Sequence, residues 1–193
     1  MTPEDHQRPG VTPSATVGPY LSIGLTWNGG ADLVPAATAD AITIDGVLTD
    51  GAGAPVPDGL IEIWQADRAG RFDHSDDPRG GAVPSGALGF GRCPTDSDGR
   101  FAFRTVKPGP LPTGDGRTEA PHIDVSVFAR GLLDRLVTRI YFADEAEANA
   151  ADPVLVELGG TDRDRLLAVP AEHRRYRWDI CLQGDLETPF FAV

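Results

Sequence analysis

Two polar groupings in the chain have residue types and spacing suited to chemistry. In His122-Ile123-Asp124, a histidine and a carboxylate lie two residues apart. Such a pair, with a remote histidine, makes the facial triad of non-haem Fe(II) sites, and His173 in Ala171-Glu172-His173-Arg174-Arg175-Tyr176 is the available third ligand. The same pair also reads as ordinary polar residues on one strand face, hydrogen-bonded to each other or to nearby backbone. The second grouping is Arg130, in Val127-Phe128-Ala129-Arg130-Gly131-Leu132. A guanidinium at a strand end beside a glycine can grip a carboxylate in bidentate fashion; a solvated surface charge is the alternative.

Other chemistries lack support. Asp96-Ser97-Asp98-Gly99 opens like a calcium loop, but Arg100 takes the third acidic position and no bidentate Glu follows at the required spacing, so it reads as a turn. No Gly-x-Ser-x-Gly elbow accompanies Ser126, and nothing in the sequence marks Cys93 as a nucleophile.

The elements that must position these residues are short strands. The chain has 193 residues, with 23 Gly and 17 Pro spread along it, the punctuation of an all-β fold. In His122–Phe128, period 2 puts His122, Asp124 and Ser126 on one face and Ile123, Val125 and Val127 on the other. Leu60–Gln65, Arg100–Arg104, Leu136–Phe142 and Arg177–Gln183 are further strand candidates, with Asp96–Gly99 as a hairpin turn into the second. In Ala41–Leu48, Gly46 is expected to break the alternation as a bulge would. Asp144 with Glu147 resembles a capping box ahead of a helix over 146–150, and Thr161 can cap one over 162–168. These readings predict a β-sandwich with short helices and long loops, residues 20–193, preceded by an extended arm over 1–19.

Composition narrows the partners. The net charge is −12, without a block of Lys or Arg, which argues against nucleic acid. The field of the whole chain repels a small anionic substrate, so binding one would call for a locally placed Arg. No apolar run reaches membrane-spanning length, and the first residues carry no secretory signal. Two cysteines, Cys93 and Cys181, are too few for a disulfide scaffold. A cytoplasmic protein is the expectation, and a chain of this length can bury roughly 70% of its unfolded surface without staples.

Several segments together carry a resemblance. Thr12–Tyr20, Ile61-Glu62-Ile63-Trp64-Gln65-Ala66-Asp67, Gly91–Asp96, Thr105-Val106-Lys107-Pro108-Gly109-Pro110 and Pro121-His122-Ile123 follow in the order seen in intradiol ring-cleavage dioxygenases. Phe128–Gly131, Thr138–Phe142 and Tyr176–Ile180 extend the similarity over nearly the whole chain. Within the family the chain resembles the α subunits of heteromeric members that cleave protocatechuate.

The resemblance implies a β-sandwich of two mixed sheets and a homologous β subunit, with αβ protomers building a higher oligomer. It also implies a ferric ion held by two Tyr and two His of that β subunit. The matching positions here are Phe72, Leu111, His122 and Asp124. Phe and Leu offer no donor to Fe(III), so the resemblance implies a chain that binds no metal itself. What it implies this chain contributes is wall for the partner's substrate pocket: Thr16, Gly18, Pro19 and Tyr20 from the arm, and Arg130 from the interface. The implied reaction is O2-dependent cleavage of protocatechuate to 3-carboxy-cis,cis-muconate. The alternatives are a purely structural assembly subunit and an autonomous Fe(II) oxygenase using His122, Asp124 and His173.

Overall fold

The computed structural model describes residue 18, residues 20–77, residue 79 and residues 88–192. Thr16, Pro19, most of the anticipated arm and residues 78 and 80–87 lie outside the described residues.

A short helix α1 (Tyr20–Gly24) precedes β1 (Ile42–Thr49), β2 (Leu60–Trp64), β3 (Phe90–Pro94) and β4 (Arg100–Thr105). Then come β5 (Leu111–Pro112), β6 (Thr118–Glu119), β7 (His122–Phe128) and β8 (Leu136–Phe142). Three short helices follow, α2 (Ala146–Ala151), α3 (Pro153–Leu158) and α4 (Gly160–Arg165). The chain closes with β9 (Leu167–Ala171), a 3-10 turn (Glu172–Arg174), β10 (Arg175–Arg177) and β11 (Ile180–Cys181).

Strands β3, β2, β7 and β8 form one antiparallel layer. In the other, β1 pairs antiparallel with β4 along one edge and parallel with β10 and β11 along the other. Strand β9 lies parallel to β8 and antiparallel to β10, so it links the two layers into one hydrogen-bonded path. The result is the expected sandwich, nearly closed along one side. Its core interleaves Ile44, Leu48, Phe103 and Ile180 from one layer with Ile61, Ile63, Ile123, Val125, Val127 and Ile140 from the other. Each such fully buried side chain contributes about 1.5–3 kcal/mol of transfer free energy.

Several local expectations are corrected. Burial alternates without interruption along β1, so Gly46 keeps phase. A Cβ there would lie 1.8 Å from the Trp178 carbonyl oxygen, so the absence of a side chain lets the last part of the chain close on β1. That last part is not one strand. It breaks at Trp178 and Asp179, where Trp178 turns into the core and Asp179 Oδ1 accepts the Val47 N–H at 2.8 Å.

Asp96 does build the turn, its Oδ1 accepting from Asp98 N and Arg100 N at 2.9 Å each, with Gly99 at φ 70°. Beyond it the strands part, β3 to β2 and β4 to β1, so the turn joins two layers rather than a hairpin. Asp144 does not cap α2; it pairs with Lys107 Nζ at 2.8 Å and accepts from the Tyr176 hydroxyl at 2.9 Å. Thr161 lies inside α4, whose N-cap is Gly159, and Leu167 and Ala168 are drawn into β9. The helix signal left unread was Asp152-Pro153: Asp152 Oδ1 accepts from Val154 N and Leu155 N at 2.9 and 3.0 Å, a cap worth about 1 kcal/mol.

Among the described residues no helix is long and apolar enough to cross a membrane. Cys93 and Cys181 are free thiols.

The Gly46 contact can be tested directly. Gly46→Ala pushes a methyl group against fixed backbone, and overpacking of this kind costs about 1–3 kcal/mol. The expected result is a lower urea midpoint with an unchanged slope; an unaltered midpoint would show that the Trp178 segment can withdraw freely.

Candidate functional site

Two loops at one end of the sandwich are held backbone against backbone. After β2, the buried Gln65 donates from Nε2 to Val106 O at 3.0 Å and accepts from Thr105 Oγ1 at 2.7 Å, tying the loop to the end of β4. Asp67 then folds its own turn, Oδ1 accepting from Ala69 N and Arg71 N at 2.8 and 2.9 Å. Its carbonyl accepts from Gly109 N at 2.9 Å. A Cβ on Gly109 would meet Arg68 O at 2.3 Å, and one on Gly70 would meet Pro110 O at 2.2 Å. Only glycine fits at either contact, which explains the glycines of the Asp67–Phe72 and Lys107–Leu111 segments.

This clasp brings two of the expected positions together. Phe72 and Leu111 both line a cleft of about 540 Å³ with Trp64, His74, Thr113 and Glu119. Phe72 stacks on Trp64, centroids 5.8 Å apart and planes within 5°. Its N–H donates to Asp77 Oδ2 at 2.9 Å, and Asp77 is gripped by Arg79 through Nε at 3.0 Å and Nη2 at 2.8 Å. The Arg79 side-chain hydrogen bond, with backbone N–H bonds from Arg79 and Phe72, holds the Asp77 carboxyl well below the usual carboxylate range.

His122 neighbours the cleft-lining Glu119 and is buried, 3% exposed, although it belongs to the polar set of β7. Its Nδ1 and the Ala120 carbonyl oxygen are 2.8 Å apart, a distance at which protonated Nδ1 donates. Its Nε2 lies 3.6 Å from Glu119 Oε2 and 4.0 Å from Asp124 Oδ1. Between those carboxylates sits Arg139, directly opposite Asp124 in the β7–β8 register. Arg139 Nε donates to Asp124 Oδ1 at 2.9 Å and Nη1 to Glu119 Oε1 at 3.3 Å. Nη1 also lies 3.3 Å from the Tyr141 hydroxyl, which donates to Asp152 Oδ1 at 3.3 Å. Asp152 Oδ2 accepts the Ala120 N–H at 2.8 Å, closing a ring of contacts around His122.

Burial works against the Arg139 charge, but Tyr141, Asp124 and Glu119 outweigh it and raise its pKa further. Burial pushes the Tyr141 phenol up. The same desolvation, with the Arg139 charge second, lowers the His122 pKa below its ordinary value of 6.5.

These donors do not fit a ferric ion. Phe72 and Leu111 supply no ligand atom, and Asp124 and Glu119, the carboxylates nearest His122, are both ion-paired to the guanidinium of Arg139. Among the described residues no three or more His, Cys, Asp or Glu are arranged to hold a metal. The Fe(II) triad is corrected: His173 lies in the exposed 3-10 turn, its side chain 87% exposed, and its ion pair is with Glu172 at 3.9 Å.

Arg130 lies elsewhere. It follows the far end of β7, and six strand steps from His122 to Phe128 span roughly 20 Å. Its side chain is 76% exposed and ion-paired with Asp58. Gly18 has φ 67°, and Tyr20 begins α1. Glu119, Arg139, Tyr141 and Asp152 were not found by sequence reasoning. Arg139 becomes visible only when the β7–β8 register is known; Asp152 carried a readable cap signal.

The buried imidazole has a consequence for stability. An unfolded His titrates near 6.5, and the folded pKa lies lower, so between those values the unfolded chain binds more protons. The His122 contribution is therefore full above about pH 6.5 and is lost as pH falls toward the folded pKa. His122→Gln, which takes up no proton there, is expected to flatten the fall in urea stability between pH 7.5 and 5.5, by up to about 1.4 kcal/mol per pH unit. Equal slopes in both proteins would mean that His122 is already solvated in the native state.

The Dioxygenase family model matches residues 35–184. The chain is 42% identical over 198 residues to the protocatechuate 3,4-dioxygenase alpha chain of Burkholderia cepacia, covering 94% of this chain and 97% of that one. It is 35% identical over 159 residues to the beta chain named from the same organism, covering 78% and 67%. In fold it is similar to 3-chlorocatechol 1,2-dioxygenase of Rhodococcus opacus, with TM-score 0.60 at 21% identity over 91% of this chain and 68% of that one. With its layered β fold and a match over most of its length, the chain belongs to the intradiol ring-cleavage dioxygenase family.

Proposed function

We propose that this chain is the iron-free α subunit of a protocatechuate 3,4-dioxygenase, working in the cytoplasm with a homologous β subunit that holds the Fe(III). The observation that supports the reading is the donor set: Phe72 and Leu111 line the cleft without offering a ligand atom, and Asp124 and Glu119 are ion-paired to Arg139. The end-to-end similarity to an alpha chain supports it, because that similarity is greater and longer than the one to a beta chain. The family is generally Fe(III)-dependent, and in this reading every metal-centred step belongs to the partner.

This chain's contribution is to bind and orient. Arg130 offers a fixed positive charge to the ring carboxylate of protocatechuate, which the net charge of −12 would otherwise repel. The arm residues Thr16, Gly18, Pro19 and Tyr20 pack against the flat ring, and a Gly-Pro pair lets backbone approach it closely. Holding the ring in one orientation raises the rate of a cleavage that breaks the bond between its two hydroxyl-bearing carbons. The product of that cleavage is 3-carboxy-cis,cis-muconate.

Expression of this chain with and without the homologous β chain tests the reading. Alone, it is expected to purify without stoichiometric iron and to show no protocatechuate-dependent O2 uptake; together, iron and uptake both appear. Turnover by this chain alone, with iron lost on His122→Ala, would overturn the proposal.

A further inference from the structure

Asp58 and Arg130 face each other for a reason built into the register. In the β2–β7 ladder Leu60 pairs with Phe128, so Asp58, two residues before Leu60, continues opposite Arg130, two residues after Phe128. Here the ladder has ended, yet the side chains still meet, Arg130 through Nε and Asp58 through Oδ2. Opposite charges directly across a strand pair attract.

The two partners are not equally anchored. The Val56–Gly59 turn that carries Asp58 is pinned by the buried Thr95: its hydroxyl donates to Val56 O at 2.7 Å and accepts from Gly59 N at 2.9 Å, while its N–H donates to Gly59 O at 2.9 Å. Asp58 is itself only 29% exposed in its side chain, against 76% for Arg130. A rigid carboxylate therefore holds one edge of an otherwise open guanidinium. Arg has five N–H donors in a flat fork, so occupying Nε leaves donors for a second carboxylate.

We infer that Asp58 is the positioning residue that orients Arg130 for the carboxylate of the substrate, an inference that rests on the reading of Arg130 as a substrate-binding group. Without a partner a long exposed Arg samples many rotamers, and binding an anion would have to immobilise it. Asp58 pre-orders the side chain. The negative charge of Asp58 works against an incoming anion, so orientation and charge predict opposite effects of its removal; orientation is expected to prevail because Asp58 meets the guanidinium through Nε and the fork carries further N–H donors on Nη1 and Nη2.

The test uses the complex with the homologous β chain, with protocatechuate and, as a substrate lacking the carboxylate, catechol. Asp58→Ala is expected to raise KM for protocatechuate about fivefold, the upper range for an exposed ion pair, with kcat and the KM for catechol unchanged. Asp58→Asn keeps an oxygen acceptor for Nε and is expected to restore KM to near the parent value. Should Asp58→Ala not assemble, Asp58→Ser, too short to reach the guanidinium, serves in its place. A lower KM in both Asp58→Ala and Asp58→Asn would overturn the inference and make Asp58 a competitor of the substrate. An unchanged KM in Asp58→Ala, with KM raised by Arg130→Ala, would overturn it while leaving the role of Arg130 standing. An unchanged KM in Arg130→Ala would overturn both.

Discussion

A guanidinium held between two carboxylates organises the end of the sandwich where the family resemblance places a metal. Arg139 bridges Asp124 on β7 and Glu119 on β6, and reaches the Tyr141 hydroxyl. Two carboxylates and an imidazole in a largely buried setting repel one another or lose solvation unless a positive charge stands among them. Here that charge is covalently part of β8, so it cannot be lost to a chelator or displaced by a ligand.

The neighbouring loops depend on a different constraint, the lack of side chains at Gly70 and Gly109. Backbone at these points approaches backbone more closely than any Cβ allows, which sets Phe72 and Leu111 on adjoining lips of one cleft. On the outer side Lys107 ties the same segment to Asp144 and Glu145 at 2.8 Å each and lies over the Phe142 and Tyr176 rings. The clasp joins the ends of β2, β4 and β8.

Much of the fold was legible in the chain. The alternation of β7 located its apolar face, the limits of β8 matched, and Asp96 through Gly99 made the anticipated turn, since these depend on residues close in sequence. The readings that failed each involved a distant partner. Gly46 looked like a break because its partner, the Trp178 carbonyl, lies over 130 residues away. Asp144 looked like a cap because Lys107 and Tyr176 could not be seen beside it. His122 counted as an outward polar residue until the Arg139 network covered it.

The site divides in the same way. Residue type alone determined that Phe72 and Leu111 cannot ligate a metal, because the necessary atoms are missing whatever the fold. It also determined the family, through motifs spread over the chain. Tertiary structure decided that Arg139 stands between Glu119 and Asp124, that His173 remains apart, and that Arg130 emerges beside Asp58 at the opposite end of β7. Strand register is the physical reason: which side chains face one another is set by pairing between segments far apart in the chain, and one residue of slip would send every one of them to the other face.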